Sequence, residues 1–395
     1  MATENNNKIL NVPNKREQNQ TCLGYAEREG HLHKENVPNL RFPEFNGEWN
    51  VKRLDECVTF LDEQRKPIKS TERSSEYKLY PYYGASGVID YVDDYIFNEE
   101  LILLSEDGAN ILDRNYRVAF IVKGKTWVNN HAHVLRPMKN VDISYLSEYL
   151  ESLKYEKYNT GSTMPKLNQE VCRSIKILLP EYAEQVKIGI LLSAINERIA
   201  TQIKIIEKLE SLIKGIYERL FNIDGAAYIQ LGNVAKIHKG QQINGEELSE
   251  TGSYYVMNGG VVPSGYLEDF NTPANTISIS EGGNSCGYVQ YNGVPFWSGG
   301  HCYTLIDPIT SFNYKYLFHY LKFKEQSIMA LRIGSGLPNI QKKDLDSFPI
   351  LNISKEEQNT IACVFDEILE KIVCERQIAL KYEEQKRYLL SNLFI

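Results

Sequence analysis

Two histidines one residue apart, His131 and His133, form a spacing that could do chemistry. Alternate residues of a strand face one side, so the two imidazoles could share a metal ion. In their polar surroundings they read instead as a strand making polar contacts. Gly124-Lys125-Thr126 ends like a phosphate-binding loop, but Ala119 stands where the first glycine of that motif belongs. Gly334-x-Gly336 runs into Leu337-Pro338 rather than opening a dinucleotide-binding helix. Asp93-Asp94 reads as a solvated loop face, not an acid–base pair. The chain contains no Asn-Pro-Pro-aromatic or Asp-Pro-Pro-aromatic segment of the kind that adenine-N6 methyltransferases use, and no His-Glu-x-x-His helix. The seven cysteines, Cys22, Cys57, Cys172, Cys286, Cys302, Cys363 and Cys374, are scattered without a Cys-x-x-Cys. They read as isolated buried thiols, with neither a disulfide framework nor a zinc site.

The whole chain bounds what such groups can serve. Its 395 residues suggest two to three domains. A hydrophobic fraction of 42% and a charged fraction of 24% fit a globular protein. No apolar run approaches the roughly 18 residues that span a bilayer. The polar start Met1-Ala2-Thr3-Glu4 lacks a signal-peptide core. The expectation is a cytoplasmic protein with no membrane partner. A net charge of −7 argues against a simple DNA-coating protein, so any nucleic-acid contact must come from a local surface or from a partner.

The chain is duplicated. Shifted by 173 positions, Gly161-Ser162-Thr163-Met164-Pro165 falls on Gly334-Ser335-Gly336-Leu337-Pro338, Glu184-Gln185 on Glu357-Gln358, and Leu220-Phe221 on Leu393-Phe394. No gap separates these anchors. Upstream the correspondence persists with drifting offsets: Ser105-Glu106 with Ser280-Glu281; Trp127, His131 and Leu135 with Trp297, His301 and Leu305; Tyr145-Leu146 with Tyr316-Leu317. His133 falls on Tyr303, so the histidine pair itself is not repeated.

Each copy ends in a long helix. Leu192, Ile195, Ile199, Gln202, Ile206, Leu209, Ile213, Ile216 and Leu220 alternate at spacings of three and four, a coiled-coil seam broken by Gln202. The second seam, Phe365, Ile368, Ile372, Glu375, Ala379, Tyr382, Lys386, Leu389 and Leu393, is broken by Glu375 and Lys386. The simplest packing is seam against seam; the alternative is each helix on its own globular part. Short β-like runs, Leu101–Leu104, Val118–Val122 and Ile277–Ser280, lie between Gly-, Asn- and Ser-rich breaks, with Tyr-rich stretches such as Tyr80-Pro81-Tyr82-Tyr83. The predicted fold is α+β: two mixed α/β domains separated by two long antiparallel coiled-coil helices, with an internal pseudo-twofold repeat. The segments are a disordered polar leader over 1–40, a first domain over 41–181, a helix over 182–222, a second domain over 223–354 and a helix over 355–395. Trp127 and Trp297 read as core anchors.

Two divergent domains, each followed by a similar long helix, resemble the specificity subunit of type I restriction-modification systems. The similarity begins with Asn36-Val37-Pro38-Asn39-Leu40-Arg41-Phe42-Pro43-Glu44-Phe45 and Gly47-Glu48-Trp49. It continues through Gly161-Ser162-Thr163-x-Pro165-x-Leu167, Leu179-Pro180 and Glu184-Gln185, and the second copy repeats it with Gly334-Ser335-Gly336-x-Pro338-x-Ile340 and Glu357-Gln358. The resemblance implies two target recognition domains, each reading one half of a split, asymmetric double-stranded DNA site, with the paired helices setting the gap. It implies two methyltransferase subunits carrying S-adenosylmethionine for adenine-N6 chemistry. It also implies restriction subunits that use ATP and magnesium, and no cofactor or catalytic residue on this chain.

Base edges are read by amides, Arg or Lys, and small hydroxyls on loops. Candidates in the first domain are Tyr82, Tyr83, Ser86, Asn110, Asn129, Asn130 and His131. Ser162, Thr163, Lys166 and Asn168 are candidates for backbone contact, because Gly161 allows close approach. In the second domain the candidates are Lys239, Gln241, Asn258, Asn284, Ser298, His301, Ser335, Asn339 and Lys342. Two other readings compete: a self-contained restriction-methylation enzyme, which lacks its motifs here, and a coiled-coil adaptor that binds no DNA.

Overall fold

A computed structural model describes residues 36–73, 78–223, 225–334, 336 and 338–394. Residues 1–35, with Cys22 and most of the expected leader, and Ser335 lie outside the described residues. Residues 36–40, assigned to that leader, are held in place: the Asn36 carbonyl accepts from the Trp49 N–H at 2.8 Å, and the Leu40 N–H donates to the Asn392 carbonyl at 2.8 Å. Leu40 and Phe42 pack on the adjoining core, which gives this short stretch a reason to be ordered.

The chain divides into two compact units, an N-terminal one of residues 36–205 with 375–394 and a central one of residues 206–374. The N-terminal unit opens with β1 (Asn50–Arg53), α1 (Leu54–Cys57) and β2 (Val58–Phe60). It continues through β3 (Tyr80–Gly84), β4 (Gly87–Val92), β5 (Phe97–Asn98), β6 (Leu101–Ser105), α2 (Asn110–Asp113), β7 (Ala119–Val122), β8 (Lys125–Val128) and β9 (Ala132–Pro137). Then come α3 (Ile143–Ser152), α4 (Gln169–Ser174), β10 (Lys176–Leu179) and the long α5 (Tyr182–Phe221), which runs on into the central unit. The strands form a β1-β10 ribbon and two four-stranded sheets, β2-β9-β6-β7 and β4-β3-β8-β5. Leu101–Ser105 is buried throughout, as befits the interior strand of a covered sheet. The Tyr-rich stretch is strand β3, not loop, and its pleat decides which tyrosines are buried.

The central unit repeats this plan. It comprises β11 (Tyr228–Gln230), α6 (Leu231–Val234), β12 (Lys236–Lys239), β13 (Tyr254–Met257), β14 (Gly265–Leu267), β15 (Thr276–Ser280), β16 (Val289–Asn292), β17 (Trp297–Ser298) and β18 (Cys302–Ile306). After these come α7 (Tyr314–Phe323), α8 (Glu325–Met329), α9 (Lys342–Asp346), β19 (Pro349–Leu351) and α10 (Lys355–Leu393). Its sheets are β11-β19, β12-β18-β15-β16 and β14-β13-β17, the N-terminal set without a counterpart of β5.

The repeated motifs now have structural reasons. The Gln185 amide accepts from the Asp142 N–H at 2.9 Å and donates to the Pro180 carbonyl at 2.9 Å. Gln358 does the same with the Asn313 N–H, 2.7 Å, and the Ile353 carbonyl, 2.9 Å. Asp142 and Asn313 in turn cap α3 and α7 through the N–H of Tyr145 and Tyr316. Those tyrosines donate their hydroxyls to the Leu178 and Leu351 carbonyls. One glutamine at the start of each long helix thus ties helix, cap and ribbon together.

Within each unit, segments of α5 and α10 run antiparallel and share the core. In the N-terminal unit Leu192, Ile195, Leu389, Leu393 and Phe394 are buried with Tyr145 and Tyr149, and Ile199 packs against them. In the central unit Ile213, Tyr217, Phe221, Phe365 and Ile372 are buried, and Ile206, Leu209, Ile216 and Ile368 pack alongside. Ala379 is half-buried. Seam against seam and helix against globular part, posed as alternatives, are both realised. The polar breaks have partners: Gln202 donates to Glu375, and Lys386 reaches Glu148 at 3.3 Å. Glu148 on α3 also accepts from Asn196 at 3.0 Å and pairs with Arg117. The matching residue on α7, His319, lies between the Tyr217 hydroxyl, 3.1 Å, and Asp366, 3.0 Å. Burial lowers its pKa, against the pull of Asp366. Cys57, Cys172, Cys286 and Cys302 are buried, but Cys363 and Cys374 lie exposed on α10, contrary to the expectation of buried thiols throughout. Among the described residues no helix is long and apolar enough to cross a membrane.

Phe365 is fully buried with its ring centroid 4.2 Å from that of Tyr217. Phe365→Ala should destabilise the central unit by roughly 3–5 kcal/mol in denaturant unfolding. A loss below about 1 kcal/mol would show that the helix contributes little to that core.

Candidate nucleic-acid interface

In both units the loop after the helix–sheet body is fastened to the sheet by the same two backbone bonds, and a third joins the strand ends beside it. The Leu167 N–H donates to the Glu106 carbonyl at 2.7 Å, the Gly108 N–H to the Pro165 carbonyl at 3.0 Å, and the Glu106 N–H to the His131 carbonyl at 2.9 Å. In the central unit the Ile340 N–H donates to Glu281, 2.9 Å, the Gly283 N–H to Pro338, 3.0 Å, and the Glu281 N–H to His301, 2.9 Å. This is what the Gly-Ser-x-x-Pro motif does. Gly161 is required by its own turn, since a Cβ there would collide with the Met164 carbonyl oxygen, and Gly334 sits at φ +98°. The glycine serves the turn rather than an approaching ligand.

A side chain reinforces each fastening. His133 Nε2 bonds the Leu167 carbonyl at 2.8 Å, and its Nδ1 bonds Asp62 at 2.6 Å. The Tyr303 hydroxyl, at the matching position, reaches the Ile340 carbonyl at 3.2 Å and Glu281 at 3.1 Å. The histidine pair therefore splits: His133 is buried on β9, whereas His131 lies before that strand, exposed, with Nδ1 2.9 Å from Asp107. Ligand atoms of Asp62, Glu106 and His133 lie within 4.8 Å of one another, a spacing that could hold a cation. Cationic side chains already pair with the two carboxylates, and an amide donates to one of them. Arg65 binds Glu106 at 2.7 Å and Asp62 at 3.5 Å, Lys166 meets Glu106 at 3.4 Å, and Gln169 donates to Asp62 at 2.9 Å. The cluster is a buried ion-pair network. Burial alone would lower the His133 pKa, but the bond to Asp62, with Cys172 nearby, raises it to about 10. Burial likewise opposes the Asp62 carboxylate, and His133, the Val134 N–H and Arg65 outweigh it to lower its pKa.

A groove of about 550 Å³ opens on the N-terminal unit, lined by Ser86, Ile89, Asp107, Asn110, Tyr116 and His131 among others. Of the residues chosen from base-edge chemistry, Ser86, Asn110, Asn129 and His131 line it. Several cannot serve as readers in this arrangement. Tyr82 is 1% exposed, its hydroxyl accepting from the Ile68 N–H at 3.0 Å, because its face of β3 points into the core. Asn129 is 4% exposed, with its Oδ1 taken by the His131 N–H. Asn110 closes its own loop, accepting from and donating to the Tyr116 backbone. Asn168 caps α4 through the Val171 N–H. Tyr83 is half-buried against Phe120. Asn130, Ser162, Thr163 and Lys166 are exposed.

In the central unit Lys239, Gln241, Asn284, His301 and Lys342 are exposed, Lys239 pairing with Glu281 at 2.7 Å. Ser298 is 1% exposed and so is no surface reader. Asn258 accepts from the His301 N–H at 3.1 Å, and the Asn339 amide accepts from Gln341 at 2.8 Å. Trp127 and Trp297 are not core anchors. Both are half-buried, their indole N–H groups donating to the Lys66 and Gln241 carbonyls. Gly283-Asn284-Ser285-Cys286-Gly287 has Gly-x-Ser-x-Gly spacing, but it forms the turn joining strands β15 and β16. It lacks the strand-to-helix bend that exposes a nucleophilic serine. Sequence reasoning missed Asp62, Arg65 and Glu106, most of whose partners lie far away in sequence, Glu106 being 41 residues from Arg65 and Gln169 being 107 from Asp62.

The network makes a pH prediction. His133 should stay protonated through pH 8, seen as an imidazole NMR resonance that does not titrate between pH 6 and 8. The stability it contributes is full below its ordinary value near 6.5 and is lost as pH rises toward about 10. The contribution of Asp62 runs the other way, present above its ordinary value and lost as acid protonates it. An imidazole titrating near its ordinary value would contradict the buried ion pair.

Comparison with known proteins places this architecture. The sequence profile of the family described as "Type I restriction modification DNA specificity domain" matches residues 46–211 and again 224–383. A Haemophilus influenzae protein described as a type I restriction enzyme specificity subunit is 27% identical over 366 residues, 86% of this chain and 93% of that protein. A Mycoplasma pneumoniae type I specificity subunit is 39% identical over 142 residues, 34% of this chain and 37% of its own length. The solved structure of a type I restriction-modification S subunit from M. genitalium shares the fold, with a TM-score of 0.72 at 18% identity over 91% of this chain and 99% of that one. The chain belongs to the family of type I restriction-modification DNA specificity proteins and carries the family's domain twice.

Proposed function

We propose that each unit reads one half of a two-part double-stranded DNA site. The observation that carries this reading is the DNA specificity domain present twice, on a shared scaffold with dissimilar exposed loops. Unlike loops on like scaffolds suit two different half-sites. Base contacts come from exposed groups at the loop ends, Ser86, Asn130 and His131 in one unit and Gln241, Asn284 and His301 in the other. Ser162, Thr163 and Lys342 contact phosphate or sugar.

Chemistry belongs to partners in this reading. Two methyltransferase subunits bring S-adenosylmethionine for adenine-N6 transfer, and restriction subunits use ATP and magnesium. The chain's own residues bind none of these; they select and orient the DNA. A net charge of −7 gives the isolated chain little general affinity for phosphate, so the partners supply most of it.

Co-expression with the methyltransferase of the same genome, followed by mapping of modified adenines, tests the reading. The expected product is methylation at a split, asymmetric site. Replacing residues 46–180 with the equivalent part of a relative should change one half-site and leave the other. Methylation by the purified chain alone, or a swap that alters both halves, would contradict it.

A further inference from the structure

We infer that Asn129 and Asn258 are one positioning residue, supplied from opposite strands in the two units, and that each holds a DNA-facing histidine, His131 or His301, on its turn. The inference rests on the DNA-reading function proposed above and names residues on which it depends.

Strand register fixes the comparison. β3 and β8 run parallel with Tyr82 beside Trp127 and Tyr83 beside Val128. β13 and β17 run parallel with Val256 beside Trp297 and Met257 beside Ser298. The residues that follow are Gly84 and Asn129 in one unit, Asn258 and Gly299 in the other. Their backbones are equivalent: the Asn129 N–H donates to Tyr83 at 3.0 Å, and the Gly299 N–H to Met257 at 2.8 Å. Two residues on stands a histidine whose carbonyl accepts from Glu106 or Glu281 at 2.9 Å.

Glycine and asparagine have changed places, yet the bond they make has not. Asn129 Oδ1 accepts from the His131 N–H at 2.8 Å, and Asn258 Oδ1 accepts from the His301 N–H at 3.1 Å. In the central unit the two strand ends share one volume: a Cβ on Gly299 would lie 2.5 Å from Asn258 Oδ1, so asparagine there requires glycine on the other strand. In the N-terminal unit the fit is looser: a Cβ on Gly84 would meet the Ile89 Cγ2 at 3.1 Å and Asn129 Nδ2 at 3.6 Å, and Ile89 is exposed and can move. A turn N–H left without that partner would free the loop that carries the histidine. Held, it presents a half-exposed ring beside a carboxylate: His131 at 2.9 Å from Asp107 and His301 at 3.9 Å from Glu281. A contact retained while its residues exchanged strands points to a requirement on the histidine turn, not on either asparagine as a reader.

The test uses the full chain with its methyltransferase partner and a DNA duplex bearing the mapped site. Asn129→Gly should weaken binding about tenfold, the worth of one polar contact to DNA. The exchange Gly84→Asn with Asn129→Gly, which copies the central unit, should restore binding to within about twofold. On a His131→Ala background, Asn129→Gly should add no further loss, because it acts through that histidine. An exchange variant as weak as the single one, or losses that simply add, would overturn the inference. Should Asn129→Gly fail to fold, Asn258→Gly with and without Gly299→Asn, scored against His301→Ala, decides the matter. If the unaltered complex shows no sequence preference, the DNA-reading proposal fails. Melting temperatures then test the clamp alone: loss in the single variant with recovery in the exchange supports it, and no recovery overturns it.

Discussion

A helix of forty residues is about 60 Å long, roughly twice the diameter of a small domain, so no single small core can bury its apolar stripe. That constraint organises this chain. The stripe of α5 is divided: Leu192 and Ile195 enter one core, Ile213, Tyr217 and Phe221 the other. α10 is divided likewise, with Phe365 and Ile372 in one and Leu389 and Leu393 in the other. Each unit completes its core only by accepting segments of both helices. The polar interruptions fall where they find partners, Gln202 with Glu375 and Lys386 with Glu148. A buried polar group that loses its partner is costly, so a shifted register that separates these pairs is penalised.

On that base, the repeat keeps contacts more faithfully than residues. A glutamine ties each long helix to its cap, and a backbone ladder fastens each Gly-Ser-x-x-Pro loop. The side chain that reinforces the ladder is a charged histidine in one unit and a tyrosine in the other, donating to equivalent carbonyls. The residue on α3 and α7 that meets the long helices is Glu148 in one and His319, whose pKa burial lowers, in the other. The first pair satisfies equivalent carbonyls with different chemistry; the second meets both long helices through different partners, Asn196 and Lys386 in one unit and Tyr217 and Asp366 in the other. A scaffold that holds its geometry through exchangeable bonds leaves the exposed loops free to diverge, which two different half-sites demand.

How much was legible in the sequence follows from the range of each interaction. The helices and the duplication were readable because a three-four spacing and a gapless offset of 173 are properties of the chain itself, visible without a partner. The β-like runs at Leu101, Val118 and Ile277 were readable for the same reason. The readers were not. Tyr82 and Ser298 have suitable groups, but strand pleating, set by distant pairing, buries them. Asn110, Asn129 and Asn168 have suitable amides, but the backbone of their own turns uses them first. His133 was read as a strand residue making polar contacts, as it does, but its partner Asp62 lies too far away in sequence to be named from the spacing. The tryptophans misled through size, since their indole N–H groups needed carbonyl partners near the surface.

If two units read DNA separately, sensitivity along the site must be discontinuous. The most direct measurement is the affinity of the complex with its methyltransferase for a series of duplexes, each with one base pair of the mapped site replaced. Two blocks of sensitive positions flanking an indifferent block are predicted. A single unbroken block, or uniform indifference, would contradict the account.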